Sequence, residues 1–216
     1  ERLKRYGVKE ENILVTGFPL PKENLGKDLT TLKANLGCRI GNLDPSGIYR
    51  RKYEYTLNHY LGEQYCPAIG RDAAQWRHHM KADHPLSITF AVGGAGAQRE
   101  IGVQILQSLH EHIDRGEVRL HLVAGIRNDV YRYYEKAVKE LHLGKKHRGR
   151  VHIIYAENKT KYFQKFNETL KTTDILWTKP SELSFYAGLG LPIIMAPTVG
   201  SQEEFNKSWL LSIGAG

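Results

Sequence analysis

Residues 87–98 read SITFAVGGAGAQ. Ile88, Phe90 and Val92 alternate with smaller residues, the pattern of a short buried strand. The strand runs into Gly93, Gly94, Ala95, Gly96 and Ala97. From Gln98 the period changes, and Ile101, Ile105, Leu109 and Ile113 recur on one helical face. A strand thus ends in a glycine turn that opens a helix. The first amides of a helix lack partners within it, and its dipole favours an anion there. Glycine lets the backbone approach a phosphate closely. The same run also serves as a plain tight turn that needs glycine only for its dihedral angles.

Downstream the alternation is regular. Val118–Ala124, Val151–Tyr155, Asp174–Trp177 and Pro192–Ala196 read as strands. Helices are expected from Asn128 or Asp129 (either can act as N-cap) to His142, over Thr160–Leu170, from Ser181 as N-cap through Gly188, and from Gly200 toward Gly214. Strand–helix alternation with short loops predicts an α/β fold, a Rossmann-like parallel sheet with helices on both faces. Right-handed crossovers then place every strand-to-helix loop on one edge, where such folds bind ligands. That edge gathers Gly93–Gln98, Gly125–Arg127, Tyr155–Asn158, Thr178–Glu182 and Thr198–Glu203. Helix starts and Arg127 suit a phosphate, while Glu182, Gln202 and Glu203 suit hydroxyl groups. Glu182 and Glu203 also read as carboxylates that satisfy helix dipoles.

Upstream the chain is less regular. Residues 1–8 read as a helix end stopped by Gly7. Asn12–Thr16 (NILVT) reads as a strand, broken by Gly17-Phe18-Pro19-Leu20-Pro21. Residues 22–37 are expected to be helical around Leu25, Leu29, Leu32 and Leu36. Asp44-Pro45-Ser46-Gly47 is a turn. Arg50–Leu61 reads as a helix with Tyr53, Leu57, Tyr60 and Leu61 inward, followed by a loop over Cys66–Gly70 and a short helix over Ala73–Lys81. The division is then a linker and first strand (1–26), a helical insertion or lead-in (27–86) and the Rossmann-like domain (87–216). His78, His79 and His84 lack metal-ligand spacing, so no metal is expected.

Composition narrows the function classes. The chain has 216 residues, 41% hydrophobic, enough for one large domain or one and a half small ones. No run approaches the roughly 18 apolar residues of a membrane helix. A net charge of +8 suits an anionic partner. The charge is dispersed, and its one dense run, Lys145, Lys146, His147, Arg148 and Arg150, reads as a solvated loop. No nucleic-acid signature is present. Cys38 and Cys66 are expected to be two thiols in a reducing cytoplasm, with a single disulfide as the alternative. The chain starts at Glu1 without a signal-peptide core, and it reads as a piece of a longer one.

The series GFPLP, AVGGAGAQ, KPSELSFYAGLGLPIIMAP, GSQEEFN and GAG resembles the carboxyl-terminal domain of GT-B glycosyltransferases. The closest branch is that of the peptidoglycan N-acetylglucosaminyltransferase and the monogalactosyldiacylglycerol synthases. The resemblance covers residues 1–26 and 87–216. It implies a domain that binds a nucleotide sugar, usually a UDP-sugar, and passes the sugar to an acceptor hydroxyl. By the same resemblance Gly94, Ala95 and Gly96 meet the phosphates, backbone at Tyr155 and Ala156 holds the base, Glu182 meets the ribose, and Gln202 and Glu203 face the donor sugar; Gly93 and Ser181 join them as substrate-binding candidates. The Pro180-Ser181-Glu182 loop is tighter than the family's glycine-rich one, which puts the place of Glu182 in doubt. The acceptor site and catalytic base belong to an amino-terminal domain not in these residues, so no catalytic residue is assigned and the chain alone is expected to be inactive. No cofactor beyond the donor itself is implied. The expected location is cytoplasmic, free or peripherally attached to the inner face of the membrane. A sugar-nucleotide epimerase and a non-catalytic nucleotide-binding domain share the architecture and stay open as alternatives.

Overall fold

The structure, a computed structural model, describes residues 2–14, 17–57, 59, 84–91, 98–143 and 149–216. Five strands form one sheet: β1 (Leu86–Ala91), β2 (Val118–Gly125), β3 (Val151–Tyr155), β4 (Ile175–Thr178) and β5 (Ile193–Met195). Their order is β3-β2-β1-β4-β5 and every pairing is parallel. The chain steps outward from β1 to β3, then crosses back to β4 on the other side of β1. That reversal makes the carboxyl ends of β1 and β4 the switch point of the fold, where a crevice opens. The α/β class and the parallel sheet are as the alternating apolar runs predict.

Helices α1 (Arg2–Arg5), α2 (Lys22–Leu25), α3 (Thr30–Leu43), α4 (Ile48–Lys52) and α5 (Glu54–Leu57) precede the sheet. Between β1 and β2 lie α6 (Arg99–Ser108) and α7 (His110–Arg115), between β2 and β3 α8 (Asn128–Glu140), and between β3 and β4 α9 (Lys159–Lys171). A 3-10 helix (Glu182–Leu189) links β4 to β5, and α10 (Ser201–Ser212) follows. Among the described residues no helix is long and apolar enough to cross a membrane.

Each face of the sheet carries its own core. On one face Phe90, Leu120 and Leu122 pack against Ile105, Leu106 and Ile113 and against Val130 and Tyr134. On the other, Ala91, Val123 and Leu176 meet Phe166 and Leu170 of α9 and Tyr186 and Leu189 of the 3-10 helix. Alternate residues of each strand serve opposite faces, as a pleated strand requires. Each large side chain buried this way contributes about 1.5–3 kcal/mol.

Gly102 sets how closely α6 lies to the sheet. A Cβ there would stand 2.8 Å from the Tyr134 hydroxyl and 3.0 Å from a ring carbon of Phe90, both in the core. Alanine normally gains about 1 kcal/mol over glycine inside a helix. Here we expect Gly102→Ala to lose about 1–3 kcal/mol through overpacking. Urea unfolding measures it, and a stabilised variant would show that α6 has room to lift.

The segment before the sheet is tied to the second face. Leu20, Leu25 and Leu32 pack against its core. Asn24 donates to the Asn167 carbonyl at 2.8 Å, and Asn167 donates to the Glu23 carboxylate. Arg39, only 3% exposed, donates from Nε to the Thr173 carbonyl at 2.9 Å. Its Nη1 donates to the carbonyls of Leu189 at 2.9 Å and Gly190 at 3.3 Å. Asn42 donates to Asp174, whose carboxylate also accepts the Ser87 amide at 2.9 Å. A polar seam thus fastens α3 to the amino ends of β1 and β4.

Several local expectations change. Within NILVT, Asn12 ends a 3-10 turn (Glu10–Asn12), Ile13 and Leu14 pair with no strand and Leu14 is exposed; Val15 and Thr16 lie outside the described residues. The 22–37 helix is broken at Gly26, with φ +71°, and at Asp28 and Leu29, which take left-handed angles. Helix α3 then runs past residue 37 to Leu43. The Arg50–Leu61 helix is interrupted at Tyr53, and Tyr53 is exposed while Leu57 is buried. Tyr60, Leu61, Cys66–Gly70 and Ala73–Lys81, for which an inward face, a loop and a short helix are expected, lie outside the described residues. Asn128 and Asp129 lie inside α8 rather than capping it; Arg127 holds the cap position with no side-chain cap bond. Ser181 occupies its expected N-cap position without a side-chain cap bond, and the segment it opens is 3-10 rather than α. The Ser184 amide bonds the Ser181 carbonyl three residues back, the tighter repeat of that helix.

Candidate functional site

A cleft of about 580 Å³ opens at the carboxyl edge of the sheet. Its floor is Ala91 at the end of β1 and Val123–Arg127 at the end of β2. One wall is the start of α9, with Lys159, Tyr162 and Phe163. The other is Ser181–Leu183 and Tyr186, roofed by Phe18 from the proline-rich segment. Phe18 stacks on Phe185 at 4.6 Å and meets Tyr186 edge-on at 6.3 Å. Tyr162 lies against Phe166 at 5.7 Å, and burial pushes its phenol up to about 12. The cleft is therefore a slot with aromatic walls and a polar mouth.

The mouth carries the charge. Arg127 donates to Asp129 from Nε and Nη2, at 3.0 and 2.8 Å, which holds the Asp129 carboxyl below its ordinary value. Arg99 reaches the same carboxylate at 3.4 Å. Arg99 also reaches the Glu100 carboxylate at 3.4 Å, so these two arginines stand against two carboxylates. Lys159 adds a further cation on the facing wall. Helix α9 starts there, and its cap is satisfied by the Asn158 side chain, which accepts the Lys161 amide at 2.9 Å.

A model of the family described as a domain of unknown function, DUF6938, matches residues 51–150 and 129–216. The chain belongs to the DUF6938 family. Comparison with curated proteins and with solved structures gave no match. The matched stretch of this DUF6938 chain contains all five strands and every residue lining the cleft except Phe18.

Of the site residues read from the sequence, Arg127, Ser181 and Glu182 line the cleft. Gly93, Gly94, Ala95 and Gly96 lie outside the described residues. Tyr155 and Ala156 follow the same edge but are not among the lining residues. The Ala156 amide donates to the Gly125 carbonyl at 3.0 Å, and the Tyr155 carbonyl accepts Lys165 Nζ at 2.9 Å. Gln202 is exposed on the first turn of α10. Glu203 is turned inward, accepting Lys179 Nζ at 3.1 Å and the Val199 amide at 2.7 Å. Burial works to raise its carboxyl, but these two donors outweigh it and hold it below its ordinary value.

Sequence reasoning missed the aromatic walls and Lys179. Phe18, Tyr162, Phe163 and Tyr186 come from three separate segments, and no local pattern joins them. Lys179 had a usable signal: it follows the last residue of β4 directly, at the switch point. Among the described residues no group of three or more His, Cys, Asp or Glu side chains is placed to hold a metal ion.

Proposed function

We propose that this chain is the donor-binding domain of a glycosyltransferase and takes a nucleoside diphosphate sugar, a UDP-sugar, at the carboxyl edge of its sheet. The observation that carries the reading is the cleft at that edge, with aromatic walls and with Arg127, Lys159 and Glu182 in its lining. A flat base fits between Tyr162, Phe163 and Phe18, where stacking does not require hydrogen-bond readout. Arg127 and Lys159 attract the phosphates, and Glu182 accepts a ribose hydroxyl. Gln202, exposed on the first turn of α10, faces the sugar. When the sugar leaves, negative charge grows on the departing diphosphate, and fixed cations and amides lower that barrier without a metal. The acceptor hydroxyl and the base that activates it come from a second domain.

Calorimetry of the purified chain with UDP, with and without a chelator, tests the reading. We expect weak binding that the chelator leaves unchanged. Glu182→Ala should weaken UDP and UDP-sugar alike by about tenfold or more, the effect of one charged hydrogen bond. Gln202→Ala should weaken only the UDP-sugar. No heat at millimolar UDP, or strict dependence on a divalent metal, overturns the proposal.

A further inference from the structure

We propose that Lys179 meets the second phosphate of the nucleoside diphosphate, and that Glu203 holds its ammonium in place until that phosphate arrives. The inference rests on the nucleotide reading above and adds to it the residue that distinguishes a diphosphate from a monophosphate.

Position comes first. Strand β4 ends at Thr178, in register with Ala91 at the end of β1. Lys179 is therefore the first residue of the loop at the switch point. Its carbonyl accepts the Ser181 amide at 2.7 Å, and Ser181 and Glu182 form the cleft wall. The loop that carries the ammonium is the same loop that lines the cleft.

Burial is the second observation. A lysine at a sheet edge ordinarily extends its ammonium into water. The Lys179 side chain is only 10% exposed and its partner Glu203 only 19%. Replacing a buried ion pair by apolar side chains is often neutral or stabilising, so stability alone gives no reason to keep one here. Unpartnered polar atoms lie on the same edge. The Thr178 hydroxyl is fully buried and has no hydrogen-bond partner among the described residues. Gln98 donates from Nε2 to the Pro197 carbonyl at 3.3 Å, while its buried Oε1 has no partner among the described residues. A buried ammonium, a donor hydroxyl and an acceptor amide oxygen match a phosphate and the sugar attached to it.

The exchange keeps the ammonium paired but leaves the Glu203 carboxylate beside added negative charge, a cost that Glu203→Gln removes. A diphosphate oxygen replaces one carboxylate contact on the ammonium, so the cation is not stripped of an anion at any stage. Glu203 keeps its bond from the Val199 amide when the lysine turns to the ligand.

The experiment compares UDP with UMP by calorimetry, on the purified chain and on Lys179→Met, Lys179→Arg and Glu203→Gln. Lys179→Met should weaken UDP by about tenfold or more while changing UMP much less. Lys179→Arg should restore part of the loss. Glu203→Gln, which frees the ammonium, should tighten UDP several-fold. A purely structural tie between this loop and α10 would weaken both nucleotides alike and would make Glu203→Gln weaker, and either result overturns the inference. If Lys179→Met does not fold, Glu203→Gln decides: tighter UDP supports the inference, and unchanged or weaker UDP overturns it. UDP binding by the wild-type chain that Lys179→Met retains removes this inference and leaves the nucleotide reading standing. A wild-type chain that binds neither UDP nor inorganic pyrophosphate overturns both.

Discussion

Arg39→Ala is expected to lower the unfolding free energy by about 3 kcal/mol or more. The guanidinium donates to carbonyls of Thr173, Leu189 and Gly190, and the residue is almost wholly buried. Each buried carbonyl left without a donor costs about 1–3 kcal/mol. The same change removes positive charge that faces the buried Asp174, and an uncompensated buried charge is itself costly. Arg39→Met keeps the volume of the stem and should lose less than alanine. Urea unfolding of both variants measures the effect. A loss under about 1 kcal/mol for alanine would mean that water reaches these carbonyls without disturbing the sheet.

Acid should destabilise the fold before any ordinary carboxylate titrates. His121 is buried in β2 with neither ring nitrogen hydrogen-bonded among the described residues, and its ring stacks on His152 at 5.1 Å. Burial first, then the neighbouring His152, Arg119 and His84, lowers its pKa from 6.5 to about 3. Between those values the unfolded chain takes up a proton that the folded chain refuses. Stability therefore falls as pH falls, by up to about 4–5 kcal/mol across the window. Asp174 acts in the opposite sense: burial raises its carboxyl, so the folded chain binds a proton more readily than the unfolded one, and its contribution grows as pH falls. Glu23, Asp44 and Glu203 are held below their ordinary values and withdraw stabilisation only at lower pH. His121→Phe should therefore flatten the stability profile between about pH 6.5 and 4.5. Denaturant midpoints across that range provide the check, and an unchanged slope would place the acid sensitivity elsewhere.

The sheet was the legible part of this molecule. Parallel strands are buried on both faces and read as apolar runs, so β1 to β5 were visible to within a residue or two. Their parallel pairing followed from strand–helix alternation rather than from any one residue, whereas the order β3-β2-β1-β4-β5 was not read from the sequence. The same reasoning failed at Asn12–Leu14, because an apolar run carries no information on whether a neighbouring edge is present to pair with it. It failed again at Asn128 and Asp129, where Arg127 draws the aspartate into an ion pair. The rim residues Arg127, Ser181 and Glu182 were legible because topology alone brings strand ends together. Glu203 was read as facing a ligand, and its carboxylate accepts Lys179 Nζ, twenty-four residues away in the chain. Pairings of that kind depend on where two loops meet in space, which local patterns do not encode.

The polar seam around Arg39 bears on how this protein comes apart. A piece cut to begin at Leu86 would keep every strand, yet it would strip the donors from Thr173, Leu189 and Gly190 and uncover the side of the core that Leu25 and Leu32 close. Residues 22–43 are therefore within the smallest unit that folds cooperatively. In native-state hydrogen exchange, the amides of α3 should open together with those of β1 and β4 at the free energy of global unfolding, whereas α1, which buries no residue, should exchange long before them.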